Sequence, residues 1–309
     1  MGTPEFAVPP LKALIEAGED IAAVITRPDK AKGRGKKLTP PPVKEHALQY
    51  SIPVLQPEKI RDEAFINTIK RLCPDLIVVI AYGKILPKAI LDIPPYGCIN
   101  VHASLLPKYR GAAPINRAII NGEKETGITT MLMDEGMDKG DMLLTGKVEI
   151  RDDETAADLH DKLKHIGAAL LIQTMKGLKT ETIKPIPQDN SQASYAPMLK
   201  KEDGRIDWTM KPDAIRNLIR GLNPWPGAYT KWEGKQIKIF RAEVVTSEFG
   251  VGSLEKEPGT VIDVSAEGIC VATGKGKVLI TELQPENRNK MSVSEFIKGY
   301  RICKGQIFD

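Results

Sequence analysis

Apolar positions along the first half of the chain alternate between two rhythms. Residues 6–17 carry them at helical spacing and stop at Gly18, while residues 21–26 form a short apolar run of strand length. Helical spacing returns at 43–50, a brief strand at 54–55 and a helix at 62–72. Residues 76–81 (LIVVIA) are apolar without interruption, as expected of a parallel strand covered on both faces. A short helix at 87–91, a strand at 98–102 and a helix at 114–121 follow. Strands at 127–133 and 142–150 then precede a long helix at 155–176, where Thr155 and Asp158 approximate a capping box. Residues 28–42, basic and rich in Gly and Pro, read as a loop. The alternation of strand and helix predicts the α/β class, with a doubly wound and mostly parallel sheet.

The rhythm changes after a polar, proline-containing stretch at 184–191. Short strands are expected at 229–232, 237–245, 259–264, 268–272 and 278–283, separated by glycines and charged turns. That pattern fits a small β-barrel or sandwich, an OB-like barrel being one form. The predicted organisation is a first domain at 1–183, a linker at 184–200 and a β domain at 201–309. Trp225, between Pro224 and Pro226, is expected to anchor the barrel because the prolines fix its backbone. No internal repeat is present.

A chain of 309 residues accommodates two cores. No apolar run has bilayer length, and Cys73, Cys98, Cys270 and Cys303 are scattered without zinc-ligand spacing. A reducing cytoplasm and no metal are therefore expected. The net charge of +4 is small, but its distribution is uneven. Arg27, Lys30, Lys32, Arg34, Lys36, Lys37 and Lys44 face only one acid, Asp29, over that stretch. This implies one basic contact surface. Glycines among the cations permit close backbone approach, and the lack of aromatic neighbours favours phosphate over base contact.

The strand at 98–102 carries the most specific chemistry. Asn100 and His102 stand two residues apart, so strand alternation turns both side chains to one face. Strand ends are where open α/β sheets bind ligands. An amide able to hold a developing oxyanion beside a group able to carry a proton is a minimal acyl-transfer site. Downstream, Asp134, Asp138 and Asp141 lie among glycines, and one of them could orient the imidazole. A solitary histidine is more often a hydrogen-bonded core residue, and His46, His160 and His165 read that way on amphipathic helices. His102 differs because of Asn100 and the Ser104-Leu105-Leu106-Pro107 turn beside it.

Together, Asn100-Val101-His102, Ser104-Leu105-Leu106-Pro107, Tyr109-Arg110-Gly111-Ala112-Ala113-Pro114 and Asp138-Lys139-Gly140-Asp141-Met142 resemble the 10-formyltetrahydrofolate-dependent formyltransferases. Gly33-Arg34-Gly35-Lys36-Lys37-Leu38 and Asn223-Pro224-Trp225-Pro226 narrow the resemblance to the branch acting on methionyl-tRNA, across nearly the whole chain. The resemblance implies a Rossmann-like formyltransferase domain followed by an OB-like barrel that holds tRNA. It implies formyl transfer from 10-formyltetrahydrofolate to the methionine α-amine of initiator tRNA, by direct amine attack through a tetrahedral species. Asn100, His102 and Asp138 would then be the catalytic set, with Asp138 accepting from His102, directly or through water, and fixing its tautomer. Ser104, Leu105, Leu106 and Pro107 would line the folate site with Tyr82, Leu86 and the backbone around them. Arg34, Lys36 and Lys37 would reach the tRNA, and Lys200 and Lys201 could add phosphate contacts. The family commonly carries a lysine where this chain has Met198. A monomer is the default expectation. Formylation of a purine precursor or an amino-sugar, and a non-catalytic RNA-binding role, are the rival readings. A nicotinamide dehydrogenase is disfavoured, because no G-x-G-x-x-G follows a strand.

In this fold a first strand normally precedes Gly2-Thr3-Pro4-Glu5-Phe6, whereas here only Met1 does. The expectation is that the natural start lies a few codons upstream, which mass spectrometry of the native N-terminus decides. For the basic segment, Arg34→Ala should weaken the use of tRNA far more than the binding of folate. Equal losses in tRNA KM and folate affinity would refute the RNA contact.

Overall fold

A computed structural model describes residues 1–32, 37–245 and 256–309 of the chain. In chain order its early elements are α1 (Val8–Glu16), β1 (Val24–Ile25), β2 (Lys30–Lys32), β3 (Lys37–Thr39) and α2 (Pro42–Gln49). Next come β4 (Val54–Leu55), α3 (Glu63–Leu72), β5 (Ile77–Val79), α4 (Lys88–Leu91) and β6 (Cys98–His102). Then follow β7 (Arg110–Gly111), α5 (Pro114–Ile120), β8 (Glu125–Leu132), β9 (Met142–Glu149), α6 (Ala156–Lys179) and β10 (Tyr195–Ala196). One unit comprises Met1–Pro114, Glu125–Glu149 and His160–Pro197, and the other Ile115–Lys124, Ile150–Leu159 and Met198–Asp309.

The first unit is mixed α/β. β1 pairs with β4 and β5 with β6 in parallel, whereas β6–β8 and β8–β9 are antiparallel. The sheet is thus less parallel than its apolar runs suggest. β8 and β9 are joined by residues 133–141 alone, too few for the crossover that parallel neighbours need. Between β1 and β5 lie Met1 and Gly2. Gly2 N donates to Ile25 O at 2.9 Å, and Ile80 N donates to Met1 O at 2.9 Å. The central register expected of a first strand is held by these two residues. Gly2 is also sterically required there, since a Cβ would come within 2.7 Å of Ala7 Cβ.

Local chemistry accounts for several boundaries. Asp62 caps α3 by accepting from Ala64 N at 3.1 Å, and Cys73 ends it at φ 44°. Before α6, Thr155 N donates to Asp158 Oδ2 at 2.9 Å and Asp158 N to Thr155 Oγ1 at 3.3 Å. The reciprocal capping pair is therefore complete. The segment expected as a loop at 28–42 contains an antiparallel hairpin, β2 against β3. Two cations counted with the basic surface are spent elsewhere. Arg27 donates to the carbonyls of Tyr82 and Gly83, and Lys44 pairs with Asp29 at 2.8 Å.

The second unit has an antiparallel sheet in the order β11 (Ala228–Trp232), β12 (Lys235–Val244), β15 (Gly276–Pro285), β14 (Ile269–Thr273), β13 (Val261–Val264). The short β16 (Met291–Ser292) adds to β15. Two helices that a reading of short strands overlooks belong to this unit. For α7 (Pro212–Gly221) the signal was Pro212 at the first turn, with Ile215, Leu218 and Ile219 buried at helical spacing. For α8 (Val293–Gly299) it was the Ser292/Glu295 capping box, which forms in full. Trp208 stacks on Phe308 with centroids 5.8 Å apart, and Trp232 packs edge-on to Phe296. These two tryptophans, not Trp225, anchor the core: Trp225 is 54% exposed. Its flanking prolines fix the backbone but do not turn the indole inward.

Cys73 and Cys303 are exposed, whereas Cys98 and Cys270 are buried. Burial pushes the Cys98 thiol up to about 12 and raises that of Cys270. Only a thiolate alkylates efficiently. Iodoacetamide at pH 8 should therefore label Cys73 and Cys303 in the folded protein, and the other two only after unfolding. Peptide mass spectrometry reads this directly, and rapid native labelling of Cys98 would contradict the packing.

Candidate active site

Strand β6 is sandwiched, and its two faces do different things. The register sets His102 opposite Thr129, Val101 opposite Thr130 and Asn100 opposite Met131 on β8. Opposed residues share a face, so Val101 and Thr130 look one way, and Asn100 and His102 the other. Helix α6 closes the first face. Thr130 Oγ1 meets Thr174 Oγ1 at 2.8 Å, and a Cβ on Gly167 would lie 3.1 Å from Val101. The strand is thus held rigid from behind while its other face meets the loop 133–141.

Asp138, in that loop, is where the candidate residues converge. Asn100 Nδ2 donates to Asp138 Oδ1 at 3.1 Å, and Gly111 N donates to Oδ2 at 2.9 Å. His102 Nδ1 stands 3.7 Å from Oδ2. Asp138 itself has φ 52°, a left-handed conformation that aspartate tolerates better than most residues. Of the carboxylates left open by sequence, Asp134 instead caps its own turn by accepting from Gly136 N at 2.9 Å. The remaining amide hydrogen and the Oδ1 of Asn100 have no partner among the described residues.

The tautomer of His102 is decided by another group than expected. Its Nε2 lies 2.9 Å from the backbone oxygen of Tyr109, which can only accept. Nε2 therefore carries the hydrogen, and Nδ1 of the neutral ring is a lone pair. The 3.7 Å separation from Asp138 exceeds a direct hydrogen bond. The Tyr109 carbonyl fixes the tautomer, because the carboxylate is already engaged with Asn100 and Gly111. His102 is 6% exposed, and Nδ1 is its nitrogen left free for chemistry.

The turn that supplies the Tyr109 carbonyl is braced internally. Ser104 Oγ donates to Lys108 O at 2.7 Å, and Thr129 Oγ1 donates to Ser104 O at 2.7 Å while accepting from Leu106 N at 3.1 Å. Gly127 makes room for Leu105, whose Cδ2 would be 2.6 Å from any Cβ there. Beyond the turn, Gly111 has φ 118°, and a Cβ would approach Ala196 O to 2.8 Å. Only glycine allows β7 to pair with β10 this closely. Leu106 is buried and Pro107 partly so. Tyr82 and Leu86 are buried in the cluster that includes Ile25, Ile60 and Ile90, while Ala81, Gly83 and Ile85 beside them in sequence are exposed. The Tyr82 hydroxyl is buried without a hydrogen-bond partner among the described residues, and burial raises its pKa.

The remaining sequence-derived candidates are the cations expected to meet tRNA. Arg34 and Lys36 lie outside the described residues, as does the side chain of Lys37. In the second unit Lys200 and Lys201 are exposed, and Met198 is 72% exposed. Sequence reasoning missed Gln188 and the side chain of Arg110, both buried behind the Asp138 loop. Among the described residues no helix is long and apolar enough to cross a membrane.

A formyl transferase model matches residues 1–175, and a model of the formyl transferase C-terminal domain matches residues 198–301. The methionyl-tRNA formyltransferase of Acetivibrio thermocellus is 52% identical over 99% of this chain and 97% of its own length. That of Caldanaerobacter subterraneus subsp. tengcongensis is 54% identical over 99% of this chain and 98% of its own. Among solved structures, the sugar 3N-formyl transferase WlaRD, determined with dTDP and 5-N-formyl-THF, superposes at a TM-score of 0.68. It shares 19% identity, covering 93% of this chain and 97% of that one. HypX from Aquifex aeolicus, in complex with tetrahydrofolic acid, gives a TM-score of 0.58 at 20% identity, covering 86% and 48%. These distant structures share the fold, and the sequence matches carry the kinship: the chain belongs to the formyl transferase family, alongside the methionyl-tRNA formyltransferases.

Proposed function

We propose that the chain transfers the formyl group of 10-formyltetrahydrofolate to the α-amino group of methionine on initiator tRNA. The observation that carries this reading is the meeting of Asn100, His102 and Gly111 around the Asp138 carboxylate. It stands in a chain whose full-length relatives are methionyl-tRNA formyltransferases.

The folate supplies an activated formyl group, and the chain's own residues do the rest. Asn100, with one amide hydrogen on Asp138, keeps the other for the formyl oxygen as negative charge develops there. Such a donor is worth roughly 3 kcal/mol of transition-state stabilisation. His102 takes at Nδ1 the proton that the attacking amine releases and passes it to the departing nitrogen. Asp138, 3.7 Å away, stabilises the imidazolium while that proton resides there. No residue need bond covalently to the formyl carbon.

The unspent amide of Asn100 is the donor a formyl carbonyl requires, so the site suits the folate donor. We assign its wall to Ser104, Leu105, Leu106 and Pro107 on one side and the segment around Tyr82 and Leu86 on the other. Because the side chains of Tyr82 and Leu86 are buried, they form a floor, and contact runs through the exposed residues Ala81, Gly83 and Ile85. Arg34, Lys36 and Lys37 are assigned to tRNA, with Lys200 and Lys201 as further phosphate contacts. We assign 1–183 to the catalytic domain, 184–200 to the linker and 201–309 to an OB-like barrel. Barrel closure is supported by the C-terminal segment. It bonds to β11, through Asp309 N to Lys231 O at 2.9 Å, and to β13, through Val261 N to Gln306 O at 2.8 Å. A cytoplasmic monomer completes the reading.

The test is formyl transfer to charged initiator tRNA, with elongator methionyl-tRNA as control. Asn100→Ala should lower kcat by about 10²–10³-fold, and His102→Ala by about 10²–10⁴-fold. Both variants should retain tRNA binding. Absence of transfer by the wild-type protein, or full activity of both variants, would refute the assignment.

A further inference from the structure

Asp138 has little local support. Its loop carries Gly136 and Gly140, residues 134–137 are exposed, and Asp138 occupies a left-handed conformation. Among the described residues, one side chain grips the loop backbone from outside it. Gln188 Nε2 donates to Asp138 O at 2.9 Å and to Gly140 O at 2.7 Å, using both amide hydrogens. At its other end Gln188 Oε1 accepts from Arg110 Nε at 3.0 Å and Nη2 at 2.7 Å. Arg110 is 1% exposed and meets no carboxylate among the described residues.

This relay runs in one direction only. Turning the Gln188 amide over would set its oxygen against two carbonyls and its hydrogens against a guanidinium, making every contact repulsive. A glutamate at 188 would pair better with the buried cation but could donate to neither carbonyl. The same Arg110-Gly111 pair grips both ends of Asp138, because Gly111 N holds the carboxylate while Arg110, through Gln188, holds the backbone. Gln188 is itself tied down by the bridge between Met142 and Ile186, whose two backbone bonds are each 2.8 Å.

We propose that Gln188 is a positioning residue for formyl transfer, holding Asp138 where Asn100 and His102 both reach it through a relay that starts on Arg110. The proposal rests on the formyl-transfer reading above.

The experiment compares Gln188→Glu and Gln188→Met with wild type and repeats both in an Asp138→Asn background. Either change should lower kcat by about 10–100-fold, the usual cost of loosening a supporting contact. KM for folate and for tRNA should stay within about twofold, because no ground-state contact is lost. In the Asp138→Asn background neither change should reduce kcat further, since Gln188 acts through that carboxylate. Hydrogen exchange should quicken in 134–141 and at Gly111 while β6 and β8 keep their protection. Unchanged kcat, additive losses with Asp138→Asn, or a loss confined to KM would each overturn the proposal. If wild-type protein transfers no formyl group, the earlier reading fails. The relay then stands or falls on the exchange pattern, unaltered exchange in 134–141 being the result that rejects it.

Discussion

A partly buried carboxylate has to find its hydrogen bonds within the protein, and the position of Asp138 follows from that requirement. An unsatisfied charged group at this depth would be costly. The donors that satisfy it come from an amide on β6 and a backbone N–H on β7, from opposite sides of one tight turn. The turn must therefore come back on itself to deliver Gly111, and in doing so it delivers the Tyr109 carbonyl to His102. Satisfying the carboxylate and orienting the imidazole are one event. Loosening Asp138 would disturb both partners.

Rigidity reaches this point from the sheet outward. Thr129 lies across from His102 and braces the turn through Ser104 and Leu106, so the strand pair itself fixes the turn. Helix α6 closes the other face where Gly167 permits close approach to Val101. Groups held on strands keep their geometry better than groups held on loops, and the one loop-borne member, Asp138, is the one that receives external support from Gln188. The chemistry thus needs little reorganisation when charge develops.

How much of this was legible depends on the range of the interaction. The strand at 98–102 was readable to the residue, because an apolar approach with Asn100 and His102 at strand spacing is a local pattern. The helix beginning at Val293 was equally readable from Ser292 and Glu295, a signal lost among expectations of short strands. Trp225 misled because proline governs the backbone and says nothing about which way an indole points. The cations Arg27 and Lys44 looked like part of a contact surface until distant partners, the Tyr82 and Gly83 carbonyls and Asp29, were brought beside them.

Periodicity and motif spacing by themselves determined the α/β first half, the β-rich second half, the shared face of Asn100 and His102, and the kinship with formyltransferases. Each depends on residues close in sequence, or on patterns that survive without coordinates. Only the tertiary structure decided that β6 and β8 run antiparallel and that the Tyr109 carbonyl, not Asp138, sets the His102 tautomer. It alone joined Arg110 to Gln188, 78 positions apart. The physical reason is common to all three: a hydrogen bond depends on direction and on a few tenths of an ångström, and only the folded chain supplies both.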